Sequence, residues 1–98
     1  MLQLVYRPAS LDDLDAIFDF VGADSPSRAM TFVEDIRAHC RMLCAHPQLG
    51  PSRPDIGVDI RIFPVRRRVV IAYRVRADVI EITRIFYGGQ DYDALQLD

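Results

Sequence analysis

The sequence predicts an α+β domain of order β-α-α-β-β-β, with a helical hairpin packed on a small antiparallel sheet. Three observations predict it. The first half carries two runs with apolar residues at helical spacing, and helices separated by so short a break form a hairpin. The second half carries three strand-like runs in close order, which pair as a meander with the hairpin across one face. A chain of 98 residues has room for one domain. That domain spans 1–98, with a strand plus hairpin in 1–46, a three-strand meander in 58–87 and a tail in 88–98.

Residues 2–6 alternate loosely as a first strand, which Arg7-Pro8 ends. Ser10 offers an N-cap, with Asp13 at the capping-box position. Leu11, Leu14, Ile17, Phe18 and Val21 then form an apolar stripe, with Asp12, Asp15 and Asp19 on the opposite side. Gly22 and Asp24 break this helix. Ser25-Pro26 restarts a second one as cap and first-turn proline. Its stripe is Ala29, Phe32, Val33, Ile36, Cys40 and Leu43, and His46-Pro47 stops it. A loop rich in Pro and Gly runs from Pro47 to Gly57. The three strands are Val58 to Val65, Val69 to Val75 and Val79 to Tyr87, with turns at Arg66-Arg67 and Ala77-Asp78. On the last strand Ile80, Ile82 and Phe86 share one face, and Glu81, Thr83 and Tyr87 the other. Arg84 interrupts the apolar face, which places that end near an edge or a site. The first strand joins the sheet at an edge or between strands. Gly88-Gly89 ends the last strand.

The charge pattern narrows the function. All 12 basic residues are Arg, and 12 of the 14 acids are Asp. Residues 1–52 carry a net −3, residues 53–84 a net +4 and residues 85–98 a net −3. A basic middle between acidic ends is unlike a general nucleic-acid binder and suits one acidic partner. Cys40 and Cys44 lie on one helical face and read as buried thiols in a reducing cytoplasm, not as a disulfide. The opening MLQLVYRP is too short and polar for a signal peptide, and no apolar run reaches membrane-span length. His39, His46 and the two cysteines make no zinc pattern, so no metal or cofactor is expected. The serines, Ser10, Ser25, Ser27 and Ser52, read as cap or loop residues.

What remains is the arginine set of the sheet: Arg61, Arg66, Arg67, Arg68, Arg74, Arg76 and Arg84, interleaved with Tyr73 and Tyr87. Such residues could hold a phosphodiester, with Arg neutralising developing charge and Tyr moving protons. Arg66-Arg67-Arg68 reads most simply as a turn. Arg61 and Arg84 interrupt otherwise apolar strands. Each is either a structural ion pair, with Glu81 and Asp59 as candidate partners, or a functional contact.

Four segments carry a family resemblance. Leu4 to Ala9 followed by Asp13-Leu14-Asp15-Ala16-Ile17 resembles the strand-then-helix opening of the RelE/ParE toxin superfamily. Leu43 to Gly50 is similar to its HPxxG-type junction. Asp59-Ile60-Arg61 with Arg68 to Val75, and then Ile80 to Gly88, resemble its closing strands. The resemblance covers nearly the whole chain. It implies the toxin of a bacterial type II toxin–antitoxin pair, acting in the cytoplasm and silenced by a small ParD-like antitoxin. RelE-like members cut mRNA on the ribosome, whereas ParE-like members inhibit DNA gyrase. A pI of about 5.6 and the absence of Lys depart from the basic RelE-like pattern. The hairpin and the HPxxG junction resemble ParE. Tyr87 stands where ParE-like members often carry His. The expectation is a ParE-like gyrase inhibitor. The alternatives are a RelE-like mRNA endonuclease using Arg61, Arg84 and Tyr87, or a non-toxic adaptor that binds an acidic helix. The arginines expected to meet the antitoxin are Arg61, Arg74, Arg76 and Arg84.

Overall fold

The structure, a computed structural model, describes residues 1–65 and 68–88. The turn expected at Arg66-Arg67, Gly89 and the tail 90–98 lie outside the described residues. Six elements follow in the expected order: β1 (Gln3–Tyr6), α1 (Pro8–Gly22), α2 (Pro26–Ala45), β2 (Ile60–Val65), β3 (Val69–Arg76) and β4 (Val79–Tyr87). The sheet runs β1-β4-β3-β2. The last three strands form the antiparallel meander. β1 takes an edge and pairs in parallel with the first half of β4, from Gln3 opposite Val79 to Tyr6 opposite Ile82.

Local chemistry sets the helix ends. Arg7 is the N-cap of α1 and Pro8 occupies its first turn, where a missing N–H costs nothing. The expected cap at Ser10 is therefore corrected. Ser10 is buried inside the helix, and its hydroxyl donates to the Arg7 carbonyl at 2.7 Å. Asp13 closes no capping box. The buried stripe of α1 is also narrower than expected. Leu14 and Ile17 are buried, whereas Leu11 is 40% and Phe18 36% exposed. α2 starts as expected, with Ser25 accepting from the Arg28 N–H at 3.3 Å and Pro26 in the first turn. It ends at Ala45, with His46 as C-cap.

The main core lies between hairpin and sheet. Leu14, Ile17, Ile36, Cys40 and Leu43 meet Val69, Ile71, Tyr73, Ile80, Ile82 and Ile85 there. A smaller core covers part of the other face, where Ile56 of the loop packs with Ile60, Ile62, Ala72 and Phe86. β2 begins at Ile60 and not at Val58. Asp59 holds a left-handed φ of 59°, which no strand accommodates, and Val58 is 70% exposed.

A bulge in β4 corrects the expected faces of that strand. Ala72 pairs with Arg84 but Tyr73 pairs with Ile82, so Thr83 is the extra residue. Its hydroxyl donates to the Ala72 carbonyl at 2.9 Å. The alternation slips by one residue at this point. Ile80 and Ile82 face the helices before it, and Ile85 and Tyr87 face them after it. Phe86 is thereby turned to the opposite core.

Both cysteines are free and buried, as expected. Burial pushes the Cys40 thiol up to about 11 and raises the Cys44 thiol and the Tyr6 hydroxyl as well. A raised native pKa means that the thiols of the unfolded chain ionise first as pH increases. Their contribution to stability is full below the ordinary thiol range and is lost as pH rises through the native value. For Cys40 this amounts to roughly 2–3 kcal/mol. Thermal unfolding followed upward from neutral pH should show Tm falling above about pH 9. Cys40→Ala should flatten that decline even though it lowers Tm at neutral pH.

Candidate functional site

Arg61 and Tyr73 sit opposite each other on β2 and β3 and converge on the loop after α2. The Tyr73 hydroxyl donates to the Pro47 carbonyl at 2.9 Å and accepts from the Gly50 N–H at 2.9 Å. Arg61 donates through Nη1 to the Gly50 carbonyl at 2.8 Å. Gly50 is held on both sides, and the approach is close. A Cβ there would lie 2.5 Å from the Ile62 carbonyl oxygen and 2.9 Å from the Tyr73 ring. The HPxxG junction is thus a fitted loop whose glycine gives the Tyr73 ring and the β2 backbone room. Arg61 makes no ion pair with Asp59 or Glu81; its partner is a carbonyl.

Arg84 has a different partner from the two acids expected for it. The Asp13 carboxylate reaches from α1 to the open edge of β4. It accepts from Arg84 Nε at 2.8 Å and from Arg84 Nη2 at 3.0 Å. The same carboxylate accepts the Ile85 N–H at 2.8 Å. This fork geometry is the stronger, charge-assisted kind of hydrogen bonding, and it holds the guanidinium more firmly protonated. The Arg84 guanidinium also lies 5.4 Å from the centre of the Phe86 ring.

Tyr87 is packed among aromatic rings. Its ring meets Phe20 edge-on at 5.7 Å and Phe32 edge-on at 5.6 Å. Val21, Asp24 and Arg28 complete a hollow of about 180 Å³ around these rings. On the other side of Tyr87, a second hollow of about 190 Å³ runs between α1 and the β4 edge, lined by Asp13, Ala16, Ile17 and Ile85. Phe20 is 68% exposed, so the hairpin tip presents an aromatic surface to solvent.

The three residues of the endonuclease alternative are not brought together. Arg61 and Arg84 lie on the strands flanking β3, with backbones about 10 Å apart. They also lie on opposite faces, because Arg61 opposes Tyr73 and Arg84 opposes Ala72. Tyr87 is beyond both, at the end of β4 opposite Val69. Of the two other arginines expected to meet a partner, Arg74 is buried, with Nη1 3.6 Å from Glu81 Oε1. Arg76 is exposed at the end of β3. Among the described residues no group of His, Cys, Asp or Glu could hold a metal ion, and no helix is long and apolar enough to cross a membrane. His39 Nδ1 lies 2.8 Å from the Asp35 carbonyl within α2.

Asp13 and Phe20 are the residues that reading the sequence missed. Asp13 lies on the inward stripe with Ser10, Leu14 and Ile17, and an inward carboxylate needs a cation. Phe20 is an aromatic residue outside the stripe, which no core requires.

Removing the Tyr73 hydroxyl leaves the Gly50 N–H and the Pro47 carbonyl without their partner. Tyr73→Phe should therefore lower unfolding free energy by about 1–3 kcal/mol. Gly50→Ala should cost at least as much, since its methyl displaces backbone. Urea unfolding of the two variants, with Arg61→Ala alongside, measures these costs.

The structure is similar to one described as "Chromosomal ParDE TA system from P. aeruginosa", with a TM-score of 0.76 and 29% identity. That match covers 89% of this chain and 96% of the other. A second similar structure is the solution structure of the conserved hypothetical protein HP0894 from Helicobacter pylori, at 15% identity and a TM-score of 0.45. It covers 92% of this chain and 98% of that one. No curated protein matches. Residues 4–92 match the family described as the ParE toxin of the type II toxin–antitoxin system parDE. A match over so much of the sequence places this chain in the ParE toxin family.

Proposed function

We propose that this ParE-family toxin acts in the bacterial cytoplasm by inhibiting DNA gyrase, and that a small ParD-like antitoxin neutralises it. One observation carries the choice of a binding mechanism over bond cleavage. The arginines and tyrosine of a nuclease reading are each held by the fold. Arg61 holds a loop carbonyl, Arg84 holds α1 through Asp13, and Tyr87 fills an aromatic cluster. A transition state needs such groups aimed at a common point, and Arg84 is separated from Arg61 and Tyr87 by the sheet, while Arg61 and Tyr87 lie on strands either side of β3.

The antitoxin is expected to bring acidic residues to the arginines of the sheet. Arg76 is exposed and makes no ion pair among the described residues, so it is the first of the four to meet them. Arg61 and Arg84 are partly exposed and can accept a further acidic contact without giving up their own partners. Arg74 is buried and supports the sheet from within.

Induced expression should stop replication while translated mRNA stays intact, and the purified protein should inhibit gyrase supercoiling. Tyr87→Phe keeps the ring and its two aromatic neighbours. Growth arrest by that variant should persist, with at most about 0.5–1.5 kcal/mol lost with the hydroxyl. A general acid or base would instead be worth about 10²–10⁴-fold. A folded Tyr87→Phe protein that binds antitoxin but no longer arrests growth would return the assignment to mRNA cleavage.

A further inference from the structure

The outer face of α1 has a composition that the fold does not explain. The helix carries four Asp and no basic residue. Asp13 alone is turned inward, to Arg84. Asp12, Asp15 and Asp19 are exposed and make no ion pair among the described residues. Their spacing of three and then four residues puts them on one stripe, where like charges repel and weaken the helix. Asp19 also sits in the C-terminal part of α1, the end of the helix dipole that disfavours an anion.

Apolar side chains accompany these acids. Leu11, Phe18 and Phe20 are all exposed on the same helix. Phe18 borders a hollow of about 260 Å³ with Asp19, Gly22, Ala23 and Pro26. Phe20 borders the Tyr87 hollow on the other side of the hairpin tip. Phe18 and Phe20 flank the acidic stripe, and aromatic side chains are enriched at protein-binding surfaces. An acidic antitoxin segment would be repelled by this stripe, so its complement is a basic surface. The exposed arginine expected to meet an acidic partner, Arg76, lies instead on the face of β3 turned away from the helices.

We infer that the outer face of α1, from Leu11 to Phe20, is the surface by which the toxin holds its target, and that the occupant is an arginine- or lysine-rich protein surface with an apolar recess for Phe18 or Phe20. This rests on the reading that toxicity comes from binding. It assigns opposite faces to the two partners: acidic and aromatic for the target, basic for the antitoxin. A DNA-handling enzyme such as gyrase carries basic surface for phosphates, which suits this complement.

The test reverses charge where no partner in the chain is lost. Asp15→Arg with Asp19→Arg, and separately Phe18→Ser, are compared with wild type at equal soluble levels. Three readings are taken: growth arrest, inhibition of purified gyrase, and binding to the co-expressed antitoxin. Circular dichroism confirms the fold. We expect the charge-reversed variant to lose growth arrest and to need about tenfold more protein to inhibit gyrase, with antitoxin affinity kept within about threefold. Inhibition by wild type should weaken with added salt, and less so for Asp15→Asn with Asp19→Asn. A folded charge-reversed variant that arrests growth as wild type does would overturn the inference. So would equal loss of antitoxin binding, because the two faces would then be one. If wild type arrests growth without inhibiting gyrase, the gyrase assignment fails, and growth arrest by the variants still decides whether α1 is the target surface.

Discussion

The Asp13 carboxylate joins α1 to a strand edge that would otherwise be left open. β1 is only four residues long, and its pairing with β4 stops at Ile82. Beyond that point the Ile85 N–H faces no strand. A buried donor left alone costs about 1–3 kcal/mol, and Asp13 accepts it at 2.8 Å. A carboxylate carried to that depth needs a cation, and Arg84, the residue before Ile85, supplies a two-pronged one. One side chain thus ends the sheet, neutralises a strand arginine and fixes the helix. The hollow between α1 and Ile85, and the placing of Phe20 against Tyr87, follow from where it holds α1.

The bulge at Thr83 works with this clamp. By inserting one residue it turns Ile85 and Tyr87 toward the helices and sends Phe86 to the smaller core. Without it, Tyr87 would leave the aromatic cluster and Phe86 would take its side. The Gly50 loop is the counterpart at the other edge of the sheet, where Tyr73 and Arg61 hold it from β3 and β2. The outer edge of β2 itself is closed by backbone, with the Arg53 N–H donating to the Ile60 carbonyl at 2.7 Å and the Ile62 N–H to the Pro51 carbonyl at 3.1 Å, and Arg61 and Arg84 each find a partner within the fold. Among the described residues, the acidic and aromatic side chains of α1 and the arginine at the end of β3 are exposed.

Much of the fold was legible because its signals are local. The Ser25-Pro26 cap, the stripe from Ala29 to Leu43 and the three strand runs each state their element within a few residues. The sequence misplaces the start of α1 because two proper signals compete there. Ser10 has the chemistry of a cap, but Pro8 already satisfies the first turn, and Ser10 then bonds back to Arg7 from inside the helix. The bulge left a trace that alternation alone misreads: inward residues at 80 and 82 followed by 85 and 87. Both arginines of interest stood out as interruptions of apolar strands. Their partners did not, because Asp13 is 71 residues from Arg84 in sequence, and Arg61 takes a backbone carbonyl that no residue type reveals. On α1, periodicity alone assigns Leu11 and Phe18 to the buried side and the three acids to the solvated side, whereas Leu11 and Phe18 are exposed as well.

Arg84 is bound to α1 through Asp13, and on the proposed binding mechanism it has no role in bond cleavage. A double-mutant cycle on Asp13→Ala and Arg84→Ala, with unfolding free energy and growth arrest per folded molecule both measured, tests it most directly. The expected coupling in stability is about 0.5–3 kcal/mol, as for groups sharing a hydrogen-bond network. Growth arrest should track the amount of folded protein in all four variants. Additive stabilities, together with a well-folded Arg84→Ala protein that no longer arrests growth, would contradict it.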